Sequence, residues 1–202
     1  VLNRLRGVAT KVASPIARFL LARGVSPDAV TITGTVVVVV TALWAYPTGH
    51  LLLGTLLIAL FVLTDTLDGT MARLSGRSGP WGAFLDSTLD RVADAAIFAG
   101  LVIWFSGPGD SRPTALLALA ALALGSVVPY ARARAEGLGL TASVGIAERA
   151  DRLAVVLVAT GVVGMGAPVE VLTVALALLS LAALVTIGQR AATVRAQLRE
   201  RG

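Results

Sequence analysis

The chain has 202 residues, 56% of them hydrophobic and 14% charged, with a net charge of +5 and no cysteine. A mean hydropathy of +0.84 is far too apolar for a soluble domain and reads as an integral membrane protein. The lack of cysteine excludes a disulfide scaffold, a thiol nucleophile and a thiolate metal site. A pI of 10.9 by itself would admit nucleic acid as a partner. The basic residues, however, fall between apolar segments, where they suit anionic lipid headgroups and phosphorylated substrates, so no nucleic acid is expected.

In chain order, residues 1–23 intersperse Arg4, Arg6, Lys11, Arg18 and Arg23 with apolar side chains. That pattern predicts an amphipathic helix lying in the membrane interface, and it lacks the uninterrupted apolar core of a signal peptide. Ser26, Pro27 and Asp28 supply a helix cap, a first-turn proline and an acid at the positive end of a first span ending near Tyr46. A second helix starts at Leu51. It stays apolar to Thr64, and because a crossing needs about 20 residues it is expected to continue past Asp65 towards Arg73. A third runs from Pro80 or Trp81 to Phe105, and a fourth from Pro113 to about Tyr130. A polar section follows from Ala131 to Arg152. The fifth helix is expected from near Ile146 to Val163, and the sixth from Val171 to Gly188. The expected fold is all-α, with six transmembrane helices in residues 24–190, the interfacial helix before them and a basic cytoplasmic tail at 191–202.

Charge asymmetry orients these spans. Of the 17 Lys and Arg residues, Arg112 alone falls in the three loops joining odd to even spans. By the positive-inside rule both termini are cytoplasmic in a multi-pass cell-membrane protein. Trp44, Tyr46, Trp81, Trp104 and Tyr130 sit near predicted helix ends, as interface aromatics do. His50, the single histidine, falls on the outer side, which argues against a histidine base or ligand.

The organising stretch is DTLDGTMARLSGRSGPWGAFLDSTLD, Asp65 to Asp90. Unpaired carboxylates are costly beside apolar spans, so four here require cations, water or a polar cavity. Asp65 and Asp68 are spaced i,i+3 and Asp86 and Asp90 i,i+4, so each pair shares a helix face. Folding the two faces together through the glycine-containing turn makes a site for hard divalent cations such as Mg²⁺ or Mn²⁺. Two such ions can bridge phosphate oxygens and activate an oxygen nucleophile. Gly69 and Ala72 leave room for a nucleotide or diphosphate to approach the backbone. Asp94, a turn beyond Asp90, is placed for a supporting role. Arg132, Arg134, Arg149, Arg152 and Arg190 fall at the same predicted membrane face, and guanidinium groups suit phosphate. Together these features point to phosphoryl transfer from a lipid-linked donor to a water-soluble phosphorylated acceptor. A divalent-cation channel is the alternative from another class, but no polar path crosses the other half of the spans.

The spacing D-x2-D-G-x2-A-R-x8-G-x3-D-x3-D, complete in Asp65, Asp68, Gly69, Ala72, Arg73, Gly82, Asp86 and Asp90, resembles the signature of the CDP-alcohol phosphatidyltransferase family. The resemblance implies that Asp65, Asp68 and Asp86 hold two Mg²⁺ or Mn²⁺ ions, with Asp90 both a ligand and the general base. It further implies that Gly69, Ala72, Arg73 and Gly82 line the site of CDP-diacylglycerol, with Pro27, Asp28 and Thr31 towards the cytidine, and that the enzyme is a homodimer among membrane phospholipids. Within the family, Pro129 to Glu136 and Gly145 to Arg152 are similar to actinobacterial phosphatidylinositol-phosphate synthases. That similarity implies inositol 3-phosphate as acceptor, its phosphate held by Arg132, Arg152 and Arg190, with Arg132 standing where the subgroup commonly has lysine. The nearest alternative is a phosphatidylglycerophosphate synthase using glycerol 3-phosphate.

Overall fold

Ser26 opens the first long helix in the expected way. Its Oγ accepts a hydrogen bond from the backbone N–H of Ala29 at 3.1 Å, and Pro27 takes the first helical position. The computed structural model describes residues 13–62, 65–76, 79–146 and 148–201, and for residues 65 and 66 the backbone alone. A short apolar helix, α1 (Ala13–Ala22), precedes this start. It buries Ala13 and Ala17, exposes Ile16 and Phe19, and sets the Arg23 guanidinium 4.7 Å above the Phe19 ring. The first half of the expected interfacial helix lies outside the described residues.

The remaining elements are α2 (Pro27–Ala45), α3 (Leu51–Val62), α4 (Asp65–Leu74), α5 (Pro80–Ser106), α6 (Arg112–Glu136), α7 (Arg149–Gly164) and α8 (Glu170–Arg201). The described residues contain no strand. Helix is the form expected even for the β-branched run Val36 to Val40, because in lipid each backbone N–H and C=O must find its partner within the segment. Side-chain placement agrees with a lipid surround. Ile32, Val36, Val40 and Leu43 of α2 are exposed along one stripe, as are Leu53, Leu56 and Leu60 of α3. Among the described residues, four runs are long and apolar enough to cross a membrane: Pro27–Ala45, Leu51–Leu74, Arg112–Glu136 and Glu170–Arg201. α5 has sufficient length at 27 residues but carries Asp86, Asp90, Arg91 and Asp94, and α7 has only 16 residues.

Two compact units divide the chain, Val1–Leu43 with Leu56–Ile97, and Trp44–Thr55 with Phe98–Gly202. In the second unit α6 and α7 both pack on α8. The buried positions of α8 recur as Leu172, Leu176, Leu179, Ala183, Thr186 and Arg190, and those of α6 include Ala118, Ala121, Gly125 and Val128. Alternating steps of three and four keep each set on one face, and the small side chains of α6 let the backbones approach, which is how helices associate without a hydrophobic drive. Ser180 and Thr186 bond back to the carbonyls of Leu176 and Ala182, both at 2.8 Å, so their hydroxyls are satisfied inside the packed face.

Three expectations about element bounds are corrected. α6 runs to Glu136 rather than ending near Tyr130, since Ala131, Ala133 and Ala135 continue the helix and Pro129 is accommodated within it. α7 starts at Arg149, not near Ile146, which lies in a bend. α8 continues past Gly188 to Arg201, so the described part of the basic tail is helix. Among the aromatics, Trp44, Trp81 and Tyr130 are exposed as interface residues should be, but Tyr46 is fully buried. Its hydroxyl shares a hydrogen bond with Thr55 Oγ1 at 3.1 Å, beside Gly54, where a Cβ would approach the ring to 2.9 Å. His50 is exposed and stands beside Trp44, with 5.9 Å between ring centroids.

Candidate functional site

Within the first unit, the start of α2, α4 and the start of α5 enclose a cavity of about 300 Å³. Pro27, Asp28 and Thr31 of α2, Asp68, Gly69, Ala72 and Arg73 of α4, and Gly82 and Asp86 of α5 all line it. Nine of the eleven residues expected around the donor and metals therefore meet on one surface, although 37 positions separate Thr31 from Asp68. Of the other two, the Asp65 side chain is outside the described residues and Asp90 stands one helical turn beyond Asp86.

Asp68 is the anchor of this surface and is 8% exposed. Its Oδ2 accepts from the Thr31 hydroxyl at 2.6 Å and its Oδ1 from the Gly69 N–H at 2.5 Å. Thr31 Oγ1 also lies 3.2 Å from the Pro27 carbonyl, but a hydroxyl has one hydrogen and the shorter contact to a carboxylate takes it. Both Asp68 oxygens are thereby oriented by neutral donors. Asp28 is held from the other side, its Oδ2 accepting from Trp81 Nε1 at 3.0 Å. Arg73 keeps its fork near α4, donating from Nη2 to Thr70 Oγ1 at 3.1 Å. A Cβ at Gly82 would meet nothing within 4 Å, and one at Gly69 only Arg73 Nη1 at 3.7 Å, so the backbone there is open to an incoming group.

The four motif carboxylates are placed unequally. Asp68 and Asp86 share the cavity, and the Asp65 side chain is outside the described residues. Asp90 is half-buried with one oxygen 3.9 Å from Arg91 Nη2, and Asp94 is buried at 7% exposure. Among the described residues no three His, Asp or Glu side chains gather closely enough to hold a metal ion. The donor chemistry fits hard cations nonetheless, since Asp68 and Asp86 offer carboxylate oxygens to one open space.

The second unit carries the arginines. Arg152 and Arg190 are buried, at 4% and 5% exposure. Arg190 donates from Nε to the Val144 carbonyl at 2.9 Å and from Nη1 to the Val128 carbonyl. Arg152 lies against Gly125, whose missing side chain makes room for it. Gly125 and Val128 are spaced i,i+3 on α6, so the two guanidinium groups arrive at neighbouring turns of one helix face. Arg132, one turn further, is half-exposed and pairs with Glu136 at 2.8 Å, yet remains within electrostatic reach of Arg190. Arg134 is exposed and Arg149 half-buried. The expected cluster is thus two buried, positioned groups with one exposed neighbour. Sequence reasoning missed Trp81, Gly125, Val128 and Val144. Two of these act through backbone carbonyls, which leave no residue signature.

A carboxylate-lined cavity with glycine-opened walls, on an all-helical apolar chain, is the arrangement of a membrane enzyme acting on a phosphorylated lipid. The family model for CDP-alcohol phosphatidyltransferases matches residues 24–188, and the chain belongs to that family. It is 48% identical over 201 residues to the phosphatidylinositol phosphate synthase of Streptomyces avermitilis, covering 96% of this chain and 82% of that protein. The structure of the Mycobacterium tuberculosis phosphatidylinositol phosphate synthase with CDP-DAG bound superposes with a TM-score of 0.88 at 41% identity, covering 91% of this chain and 94% of that one. The same enzyme in complex with manganese and citrate gives a TM-score of 0.87, over 90% of this chain and 88% of that one.

Proposed function

We propose that the protein transfers the phosphatidyl group of CDP-diacylglycerol to inositol 3-phosphate, giving phosphatidylinositol phosphate and CMP. The observation that carries this reading is the shared cavity of the motif residues, with Asp68 fixed by Thr31 and Gly69 and the backbone left open at Gly69 and Gly82. The 48% identity to a phosphatidylinositol phosphate synthase supports the acceptor.

Pro27, Asp28 and Thr31 receive the cytidine end of the donor, and Ala72, Arg73 and Gly82 flank its diphosphate. Two Mg²⁺ or Mn²⁺ ions bound by Asp65, Asp68 and Asp86, with Asp90 alongside, would neutralise the diphosphate and stabilise charge on the departing CMP. Asp90 accepts the proton of the acceptor hydroxyl as its oxygen bonds to the lipid-side phosphorus and the bond to CMP breaks. Arg152 and Arg190 hold the acceptor phosphate with Arg132, and Arg134, Arg149 and Asp94 support the two sites. Six spans, with both termini and the active site cytoplasmic, follow if α5 and α7 also cross. The 16 residues of α7 rise about 24 Å, short of the roughly 30 Å hydrocarbon core, and local thinning accommodates such a mismatch. A homodimer completes the reading.

The test is CMP release by the purified protein in lipid, with inositol 3-phosphate, free inositol and glycerol 3-phosphate compared in parallel. Selective, Mg²⁺- or Mn²⁺-dependent release with inositol 3-phosphate is expected. Preference for glycerol 3-phosphate would make the protein a phosphatidylglycerophosphate synthase, and full activity in chelated samples would reject the metal role.

A further inference from the structure

We propose that Gln197, near the end of α8, is a positioning residue for the acceptor phosphate, acting through the connection between α6 and α7. This rests on the acceptor reading above. The connection, residues 137–146, runs antiparallel to the last turns of α8 and is tied to it at four successive points. Arg201 Nη2 donates to the Gly139 carbonyl at 2.8 Å, and Gln197 clasps Thr141. Arg190 Nε donates to the Val144 carbonyl at 2.9 Å, and the Ile146 N–H donates to Thr186 Oγ1 at 3.1 Å. Positions 186, 190, 197 and 201 recur on one helix face. An irregular segment must find partners for its backbone polar groups, and here one side of α8 supplies them.

Gln197 makes the tightest of these ties. Its Oε1 accepts from the Thr141 N–H at 3.0 Å and lies 3.3 Å from the Thr141 hydroxyl, while its Nε2 donates to the Thr141 carbonyl at 2.6 Å. One side-chain amide thus matches both backbone groups of one residue, which fixes orientation as well as distance. Ala135, Leu140 and Ala142 bury beside this clasp, with Val194 packed on them. Gly145 completes the fit with φ +144, and a Cβ there would collide with Thr186 Cγ2, so the segment lies flush on α8.

The consequence reaches Arg190. Two of its five N–H groups are engaged by the Val128 and Val144 carbonyls, and because a guanidinium is planar those two bonds set the direction of the others. Val128 belongs to α6, but Val144 belongs to the tied segment, so the plane of Arg190 is only as well defined as the segment's position. Gln197 lies seven residues along α8 from Arg190, about 10 Å away, and acts through that segment rather than on a ligand.

The experiment is steady-state kinetics of Gln197→Ala and Gln197→Glu in lipid nanodiscs, with hydrogen exchange of the 137–146 amides. In Gln197→Ala the KM for inositol 3-phosphate is expected to rise about five- to tenfold, with kcat and the KM for CDP-diacylglycerol within about twofold of wild type. Amides around Thr141 should lose protection. Gln197→Glu sets a carboxylate oxygen against the Thr141 carbonyl in place of the amide donor, so the acceptor KM should rise at least as much as in Gln197→Ala. An unchanged acceptor KM in Gln197→Ala beside an active wild type overturns the positioning role, as does an equal fall in kcat for both variants. A wild type that does not use inositol 3-phosphate instead overturns the functional reading, while the exchange measurement still reports on the clasp.

Discussion

Gly125 on α6 stands against the guanidinium of Arg152 on α7, so closely that a methyl group at position 125 would lie 3.3 Å from Arg152 Nε. That is tight enough to displace the guanidinium by a few tenths of an ångström without closing the helix pair. Gly125→Ala is therefore expected to fold normally and raise the acceptor KM about three- to tenfold, whereas Gly125→Leu should abolish acceptor use. Titration of inositol 3-phosphate against both variants checks this, and an unaltered KM in folded Gly125→Ala would show that Arg152 does not need its present position.

Thr31→Val removes the hydroxyl that donates to Asp68 at 2.6 Å while keeping the side-chain shape. A hydrogen bond to a charged group contributes about 1.5–3 kcal/mol, so kcat/KM for CDP-diacylglycerol should fall about tenfold or more. Thr31→Ser keeps the donor and should retain most of the activity. The acceptor KM serves as the internal control, since it should stay near wild type in both.

Much of this architecture could be read from the residues. The Ser26-Pro27-Asp28 start of α2 follows from capping chemistry, and the D-D-G-A-R-G-D-D spacing located every motif residue that lines the cavity. Less legible were features that depend on backbone atoms. Nothing in the sequence says that Arg190 will bind the carbonyls of Val128 and Val144, because any residue offers the same carbonyl. Tyr46 was misread since an aromatic at a helix end suits the membrane interface equally well, and only Gly54 and Thr55 nearby draw it inward. The helical continuation of α8 was obscured by charge, although Arg and Ala are good helix formers and the charged turns lose no helix propensity by being polar.

Asp90→Asn keeps the size of the side chain and removes its basicity. With donor, acceptor and Mg²⁺ saturating, kcat is expected to drop about a hundredfold or more, the scale of general base catalysis, with donor KM little changed. Rapid quench of a single turnover separates this from slowed product release. Near-wild-type turnover by the folded variant would move activation of the hydroxyl away from position 90.

The pH dependence of acceptor binding should belong to the ligand rather than to the site. Arginine stays cationic across the working range, whereas a phosphate monoester loses its second proton near pH 6. In the acceptor site proposed above, Arg152 and Arg190 would hold the dianion more strongly than the monoanion, so the acceptor KM should rise as the pH falls through about 6. Measuring KM for inositol 3-phosphate from acid to neutral pH checks the sign, and a KM that falls on acidification contradicts it.

With 32 residues α8 is a rod about 48 Å long, against a hydrocarbon core of roughly 30 Å. The face that ties down residues 139–146 belongs to the same unbroken rod as the apolar stretch. A helix longer than the bilayer adjusts by tilting, by an amount set by lipid thickness. Any such tilt carries the tied segment and Arg190 together relative to the Val128 carbonyl of α6. If Arg190 holds the acceptor phosphate as proposed, host-lipid chain length would be an input to affinity for a water-soluble substrate.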